Sequence, residues 1–112
     1  MRFAVPMADG KLCAHFGHSE KFALIDVNTD TKEIITSVSL NPPPHEPGIL
    51  PRWLQQNGVT HIITGGMGIK AQSFFRQLGI DVVVGAPIEE PELLVKKFID
   101  GNLVKGENIC DH

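Results

Sequence analysis

The chain has 112 residues, of which 42% are apolar and 21% charged, with a formal net charge of −3. That is one domain with enough apolar side chains for its own core, and it excludes a globally disordered chain. The cations Arg2, Lys11, Lys21, Lys32, Arg52, Lys70, Arg76 and Lys96-Lys97 are scattered without a basic run, which argues against a nucleic-acid partner, and no apolar run reaches membrane-spanning length.

Arg2 to Pro6 reads as a short strand at the very start of the chain. Residues 1–8, MRFAVPMA, carry one charge and lack the apolar core of a signal peptide. The expected location is therefore cytoplasmic. In that setting Cys13 and Cys110 are free thiols or metal ligands rather than a disulfide. Phe22 to Val27 and Glu33 to Leu40 alternate as strands, the second with Ile34, Thr36, Val38 and Leu40 on one face. Asn28-Thr29-Asp30-Thr31 between them has the chemistry of a hairpin turn. The run Asn41-Pro42-Pro43-Pro44-His45-Glu46-Pro47-Gly48 lacks backbone donors and is an exposed loop.

From Ile49 the period becomes helical through Leu50, Trp53 and Leu54, and Asn57-Gly58 closes it. His61-Ile62-Ile63 is a short buried strand, with His61 packed at its edge. A helix follows the glycines, opening at Gly66 and carrying Ala71, Phe74, Phe75 and Leu78 on one face up to Gly79. Ile80 to Val84 is apolar on both faces, as parallel pairing under helices requires. Glu89-Glu90-Pro91 opens a last helix that turns Leu93, Leu94 and Phe98 to the core and stops at Gly101. The domain is placed at 1–104, and residues 105–112 are expected to be a mobile tail.

The order β-β-β-α-β-α-β-α gives an α/β fold. An antiparallel meander leads into parallel strands joined by crossovers, making a five-stranded mixed sheet with helices on its faces, of ribonuclease-H type. Ribonuclease-H chemistry itself is excluded, because the first strand carries no carboxylate and Asp26 and Asp81 stand alone in sequence.

Three features bear on chemistry. Gly65-Gly66-Met67-Gly68-Ile69-Lys70-Ala71 follows a strand and opens a helix, so bare N–H groups there suit an anion. Too little chain remains for a full dinucleotide fold, and no acidic residue ends the Ile80–Val84 strand. A tight structural turn, a nucleotide site and a site for another anion all stay open, with the last favoured. The second feature is Leu12-Cys13-Ala14-His15-Phe16-Gly17-His18, with two imidazoles and a thiolate within six positions. The third is the chain end, Asn108-Ile109-Cys110-Asp111-His112. Cys13/His15 and Cys110/His112 repeat one Cys-x-His unit, and His45 in the proline loop is a further candidate ligand.

These residues together carry a resemblance. The opening strand, HFGHSEKF, the Pro/His loop and GGMGIKAQSFFRQLGIDVVVG closely resemble the nitrogenase iron–molybdenum cofactor biosynthesis family, the small domains related to NifX, NafY and the C-terminal part of NifB. The resemblance covers residues 1–104. It implies a ribonuclease-H-like fold and a non-catalytic protein that binds or carries metal–sulfur clusters or their precursors. His15 of His-Phe-Gly is then the candidate cluster ligand, with Gly65, Gly66 and Gly68 at the same end of the sheet. Cys13 and the NICDH tail depart from the family pattern.

The reading at this point is a carrier or scaffold that transiently binds an iron–sulfur or molybdenum-containing cluster. Its metal ligands are drawn from Cys13, His15, His18, His45, Cys110 and His112, with Gly65, Gly66, Met67 and Gly68 as the anion cradle. Its expected partners are cluster-donating and cluster-accepting proteins, with neither nucleic acid nor membrane among them. The alternatives are a structural zinc site from the two Cys-x-His pairs and a phosphate- or nucleotide-binding regulator using the glycine turn.

Overall fold

The computed structural model describes residues 1–12, 20–43, 49–104 and 106. Its elements are β1 (Arg2–Ala8), β2 (Lys11–Leu12), β3 (Lys21–Asn28), β4 (Glu33–Leu40), α1 (Ile49–Gln56), β5 (His61–Ile63), α2 (Ile69–Gln77), β6 (Asp81–Val83) and α3 (Pro91–Ile99). The strand order is β4-β3-β1-β5-β6, with β2 paired to β1. β4, β3 and β1 are antiparallel neighbours, and β1, β5 and β6 run parallel.

Among the described residues the sheet therefore has six strands, not the five expected. The added strand is β2, which folds back on β1 through a two-residue turn, pairing Met7 with Leu12 and Ala8 with Lys11. Asp9 and Gly10 in that turn have φ of 55° and 79°. Two left-handed residues match the twist of a tight hairpin, which is why an Asp-Gly pair serves there. β3 occupies one edge of β1 from Arg2 to Met7, while β5 uses the other edge at Phe3 and Ala4. β2 thus takes the edge that β5 vacates, just beyond β5's carboxyl end.

Alternation along β1 and β3 sends side chains to two cores. Phe3, Val5, Met7, Ala23, Ile25 and Val27 pack with Leu94 and Val95 of α3 on one face. Ala4, Phe22 and Leu24 pack with Leu54 of α1 and Phe75 of α2 on the other. In α3, Leu94 and Val95 are the buried pair and Leu93 is exposed, a shift of the apolar face from the expected one. The single face expected for β4 is also divided. Opposite the Asp26–Val27 step of β3, β4 carries one extra residue, Ile35, which shifts the register, so that Ile34 joins the α3 side and Leu40 the α1 side.

Candidate functional site

The parallel strands define two ends of the sheet. At the carboxyl end lie Ala8 of β1, the turn after Ile63 of β5, and Gly85 after β6. Because β3 runs antiparallel, its first residue, Lys21, stands opposite Met7 at this end, and Leu40 closes β4 opposite Phe22. Each segment carrying a candidate ligand leaves from, or returns to, this end. Leu12 precedes Cys13, and its N–H donates to the Glu89 carbonyl (3.0 Å). Glu20 follows His18 and Ser19, and its N–H donates to the Met7 carbonyl (2.8 Å). Leu40 leads into the proline loop that holds His45. Gly106 leads to Cys110 and donates its N–H to the Gly85 carbonyl (2.6 Å). A cleft of about 280 Å³ opens beside the β1–β2 turn, lined by Asp9, Glu20, Lys21 and Ser39 among others.

Cys13, His15, His18, His45, Cys110 and His112 themselves lie outside the described residues. Among the described residues, no group of three or more His, Cys, Asp and Glu could hold a metal ion.

The glycine turn is described throughout. Gly65, Gly66 and Met67 are buried, whereas Gly68 is exposed. The helix opens at Ile69, with Gly68 as its N-cap, rather than at Gly66. The reason is Thr64, which is fully buried and was not singled out from the sequence. Its Oγ1 accepts from the Gly66 N–H (3.4 Å) and donates to the Gly66 carbonyl (3.3 Å), holding that residue in a turn outside the helix. Gln72 of the first helical turn reaches back to the Met67 carbonyl (2.8 Å). The Gly66 N–H is thus engaged, and the open donors are those of the first turn of α2. Gly68 contributes no side-chain cap, and among the described residues a Cβ built on it meets nothing within 4 Å. The first turn of α2, with the positive end of its dipole, thus lies on the carboxyl side of β5, and Gly68, Ile69 and Lys70 there are exposed. The signal for Thr64 was its place directly after an apolar strand and before two glycines, where a hydroxyl can satisfy buried backbone groups of the turn.

At the opposite end of the sheet, His61 and Arg2 make polar contacts that belong to the fold. His61 stacks on Phe3 with ring centroids 5.0 Å apart, its Nδ1 is 2.8 Å from Thr60 Oγ1, and its Nε2 is 3.4 Å from Asp81 Oδ2. Burial lowers its pKa, against the upward pull of Asp81. His61 is a packing histidine, as its sequence position suggested. Arg2 donates through Nε and Nη2 to the two Asp26 carboxylate oxygens (2.6 and 3.0 Å) and through Nη1 to the Asn57 carbonyl.

Residues 1–101 match the family described as dinitrogenase iron-molybdenum cofactor. The chain belongs to this family. The uncharacterized protein MJ0580 of Methanocaldococcus jannaschii is 37% identical over 111 residues, covering 96% of this chain and 92% of that protein. The crystal structure of PH0822 superposes with a TM-score of 0.84 at 30% identity, covering 94% of both chains. The apo form of the orange protein from Desulfovibrio gigas superposes with a TM-score of 0.71 at 24% identity, covering 96% of this chain and 93% of that one. The family's description ties it to the iron–molybdenum cofactor of dinitrogenase. Among the described residues, no helix is long and apolar enough to cross a membrane.

Proposed function

We propose that the protein is a non-catalytic carrier or scaffold for a metal–sulfur cluster or its precursor, iron–sulfur or molybdenum-containing, held at the carboxyl end of the parallel strands. Its cargo passes between a cluster-donating and a cluster-accepting protein, in the cytoplasm. The observation that carries this reading is convergence. The described flanks of the three Cys- or His-bearing segments lie at the same end of the sheet as the N-terminus of α2, in a chain of the iron–molybdenum cofactor family. The strand order, with an antiparallel half and a parallel half, also supports the ribonuclease-H-type assignment.

The chemistry is consistent with such cargo. Metal–sulfur clusters are polyanions, and the first turn of α2 supplies N–H donors and partial positive charge. Imidazole and thiolate from His15, Cys13, His18 or His45 supply metal ligands, and Cys110 and His112 join from the tail. A carrier must release its cargo, so few ligands on an open site suit it better than the closed four-ligand shell of structural zinc.

The test is His15→Ala. A ligand on a connecting segment adds little core area, so folding should be nearly unchanged. Affinity for a cluster reconstituted anaerobically from ferrous iron and sulfide should fall at least about tenfold, the scale of losing a ligand or its support. Retention as tight as that of the wild type would overturn the role of His15. Stoichiometric zinc held against a strong chelator, in a colourless protein, would favour the structural zinc site instead.

A further inference from the structure

We propose that β4 is the edge through which two copies of this chain pair, antiparallel and in one register, with Val38 of one copy opposite Val38 of the other across a two-fold axis. The proposal stands apart from the cluster-carrier reading.

The two edges of the sheet are unlike. β6 ends one side with three residues, the first of which, Asp81, is an exposed carboxylate. A short, charged edge offers little to a further strand. β4 ends the other side with eight residues and carries no charge after Glu33. Residues 35–39 are all exposed, Ile35 to 62% and Val38 to 51%. Among the described residues no strand pairs with the outer side of β4. A long uncharged edge presents a row of backbone donors and acceptors, which is a template for another chain.

Two features bound the usable part of that edge. Ile35 is the extra residue that breaks the β3–β4 register. Pro42 and Pro43, just beyond the strand, have no N–H to give. Between them Thr36-Ser37-Val38-Ser39-Leu40 keeps unbroken register with β3, from Asp26 to Phe22. This stretch is nearly symmetric about its centre, with a serine on each side of Val38. It pairs antiparallel with a second copy of itself over its full length in one way only: Val38 opposite Val38, Ser37 opposite Ser39 and Thr36 opposite Leu40. That self-match favours a second copy as the occupant. The ladder sets no like charges against each other, whereas a charged strand from another protein would find no counter-charge on residues 34–40.

Directly opposite residues share a face of the sheet. Val38 pairs with Leu24, which packs with Leu54 and Phe75, so the two valines meet on the α1 and α2 face. A groove of about 310 Å³ lies beside Val38 there, with Leu24, Thr36, Leu40 and Asn57 among its lining. The serines lie on the α3 face, where Ser37 Oγ donates to Glu92 Oε1 (2.8 Å). Because β4 runs parallel to β1, antiparallel pairing sends the carboxyl ends of the two copies in opposite directions and leaves both open. A five-residue ladder is only about 17 Å long. It buries less than the roughly 800 Å² per partner of a standard tight complex, so the dimer should be reversible, with a dissociation constant below about 1 mM.

Sedimentation equilibrium of the full apo-chain, up to about 1 mM, should show a monomer–dimer equilibrium. Val38→Lys changes a half-exposed residue, so its Tm should stay close to that of wild type. It sets two ammonium groups against each other at the axis and should weaken association at least about tenfold. Ile88→Lys makes the same charge change at another exposed residue, outside β4, and should dimerise like wild type. Register is read separately, in a chain carrying Cys13→Ser and Cys110→Ser. With oxidised glutathione as oxidant, Val38→Cys should give a disulfide-linked dimer. Thr36→Cys should not, because it would lie about 13 Å along the ladder from its own copy, and a disulfide needs Cα atoms within about 7 Å. A wild-type chain that stays monomeric would overturn the proposal and leave the edge to a strand of another protein. Undiminished association of Val38→Lys would place the interface elsewhere, and equal cross-linking of Thr36→Cys would overturn the register.

Discussion

At the scale of single residues, the fold uses its polar groups in two ways. His61 belongs to packing: its ring joins Phe3 and Phe98 in a three-ring cluster, at centroid distances of 5.0 and 6.0 Å from them. Burial holds its native pKa below the ordinary 6.5. As pH falls, the unfolded chain therefore takes the proton first. The contribution to stability is complete above the ordinary value and is lost as pH drops from there toward the lowered native one. His61→Phe keeps the stacking and removes the titration. Between neutral pH and about pH 5, its Tm should fall less steeply than that of wild type, and equal slopes in a calorimeter would contradict the assignment. Asp26 has the same sign in a lower window. The hydrogen bond from Arg2 holds its carboxyl below 3.8, so its contribution is present above that value and lost as pH falls through the lowered one. Side-chain exposures of 39% for Arg2 and 28% for Asp26 keep this pair well screened. Asp26→Asn should cost about 1 kcal/mol or less at neutral pH by urea denaturation.

At the scale of elements, the entry to α2 is where fold and site meet. Thr64 closes the turn, and Thr64→Val leaves the buried Gly66 backbone groups without that hydroxyl. The expected loss is about 1–2 kcal/mol in urea unfolding, and an unchanged midpoint would mean that other groups hold the turn. Gly68 gives a test in which stability and binding move in opposite directions. It is an N-cap without a capping side chain, in extended conformation at φ −64° and ψ 155°. Gly68→Asp should cap the helix and stabilise the apo-protein by about 0.5–1 kcal/mol. The same carboxylate stands where a polyanionic cluster would approach, so affinity for reconstituted cluster should drop. A variant that is more stable and binds as tightly would move the site away from α2. The elements also show what was legible. Alternation located β3 and β4 and the 3.6-residue period located α1, α2 and α3, because side chains on one face recur at every second or every third and fourth residue, whereas β1 was read as a short strand at the start of the chain. β2 was missed because two residues carry no period. Its signal was Asp9-Gly10, a hairpin turn pair written in the chain. The bulge in β4 left no such mark, since it depends on the partner strand's register, which is set by tertiary pairing.

At the scale of the whole molecule, the sequence gives the candidate ligands, whereas topology gives their convergence. Cys13, His15, His45 and Cys110 are spread over nearly the full chain. What collects their flanks is that β1, β5 and β6 run one way and β3 returns the other, with Leu12, Glu20, Leu40 and Gly106 all reaching one end. Nothing in spacing alone foretold that the Gly85 N–H would meet the Gly65 carbonyl and its carbonyl the Gly106 N–H, because a glycine's need for a close backbone neighbour appears only when that neighbour is in place. The division of labour between the two ends follows directly. The Arg2–Asp26 pair and the stacked His61 and Phe3 rings stabilise the amino ends of the parallel strands, while glycine turns, the Glu89–Lys97 pair and the flanks of the ligand-bearing segments lie at the carboxyl ends. Amide-resolved NMR of the isotopically labelled apo-protein, titrated anaerobically with ferrous iron and sulfide while visible absorption is followed, tests this most directly. Charge-transfer absorption should appear as the amides of Leu12, Glu20, Gly68 to Ala71, Gly85 and Gly106 shift or broaden, while those of Arg2, Asp26, Gly58 and His61 stay in place. Absence of colour, or perturbation centred on the His61 end, would contradict a cluster site at the carboxyl end of the sheet.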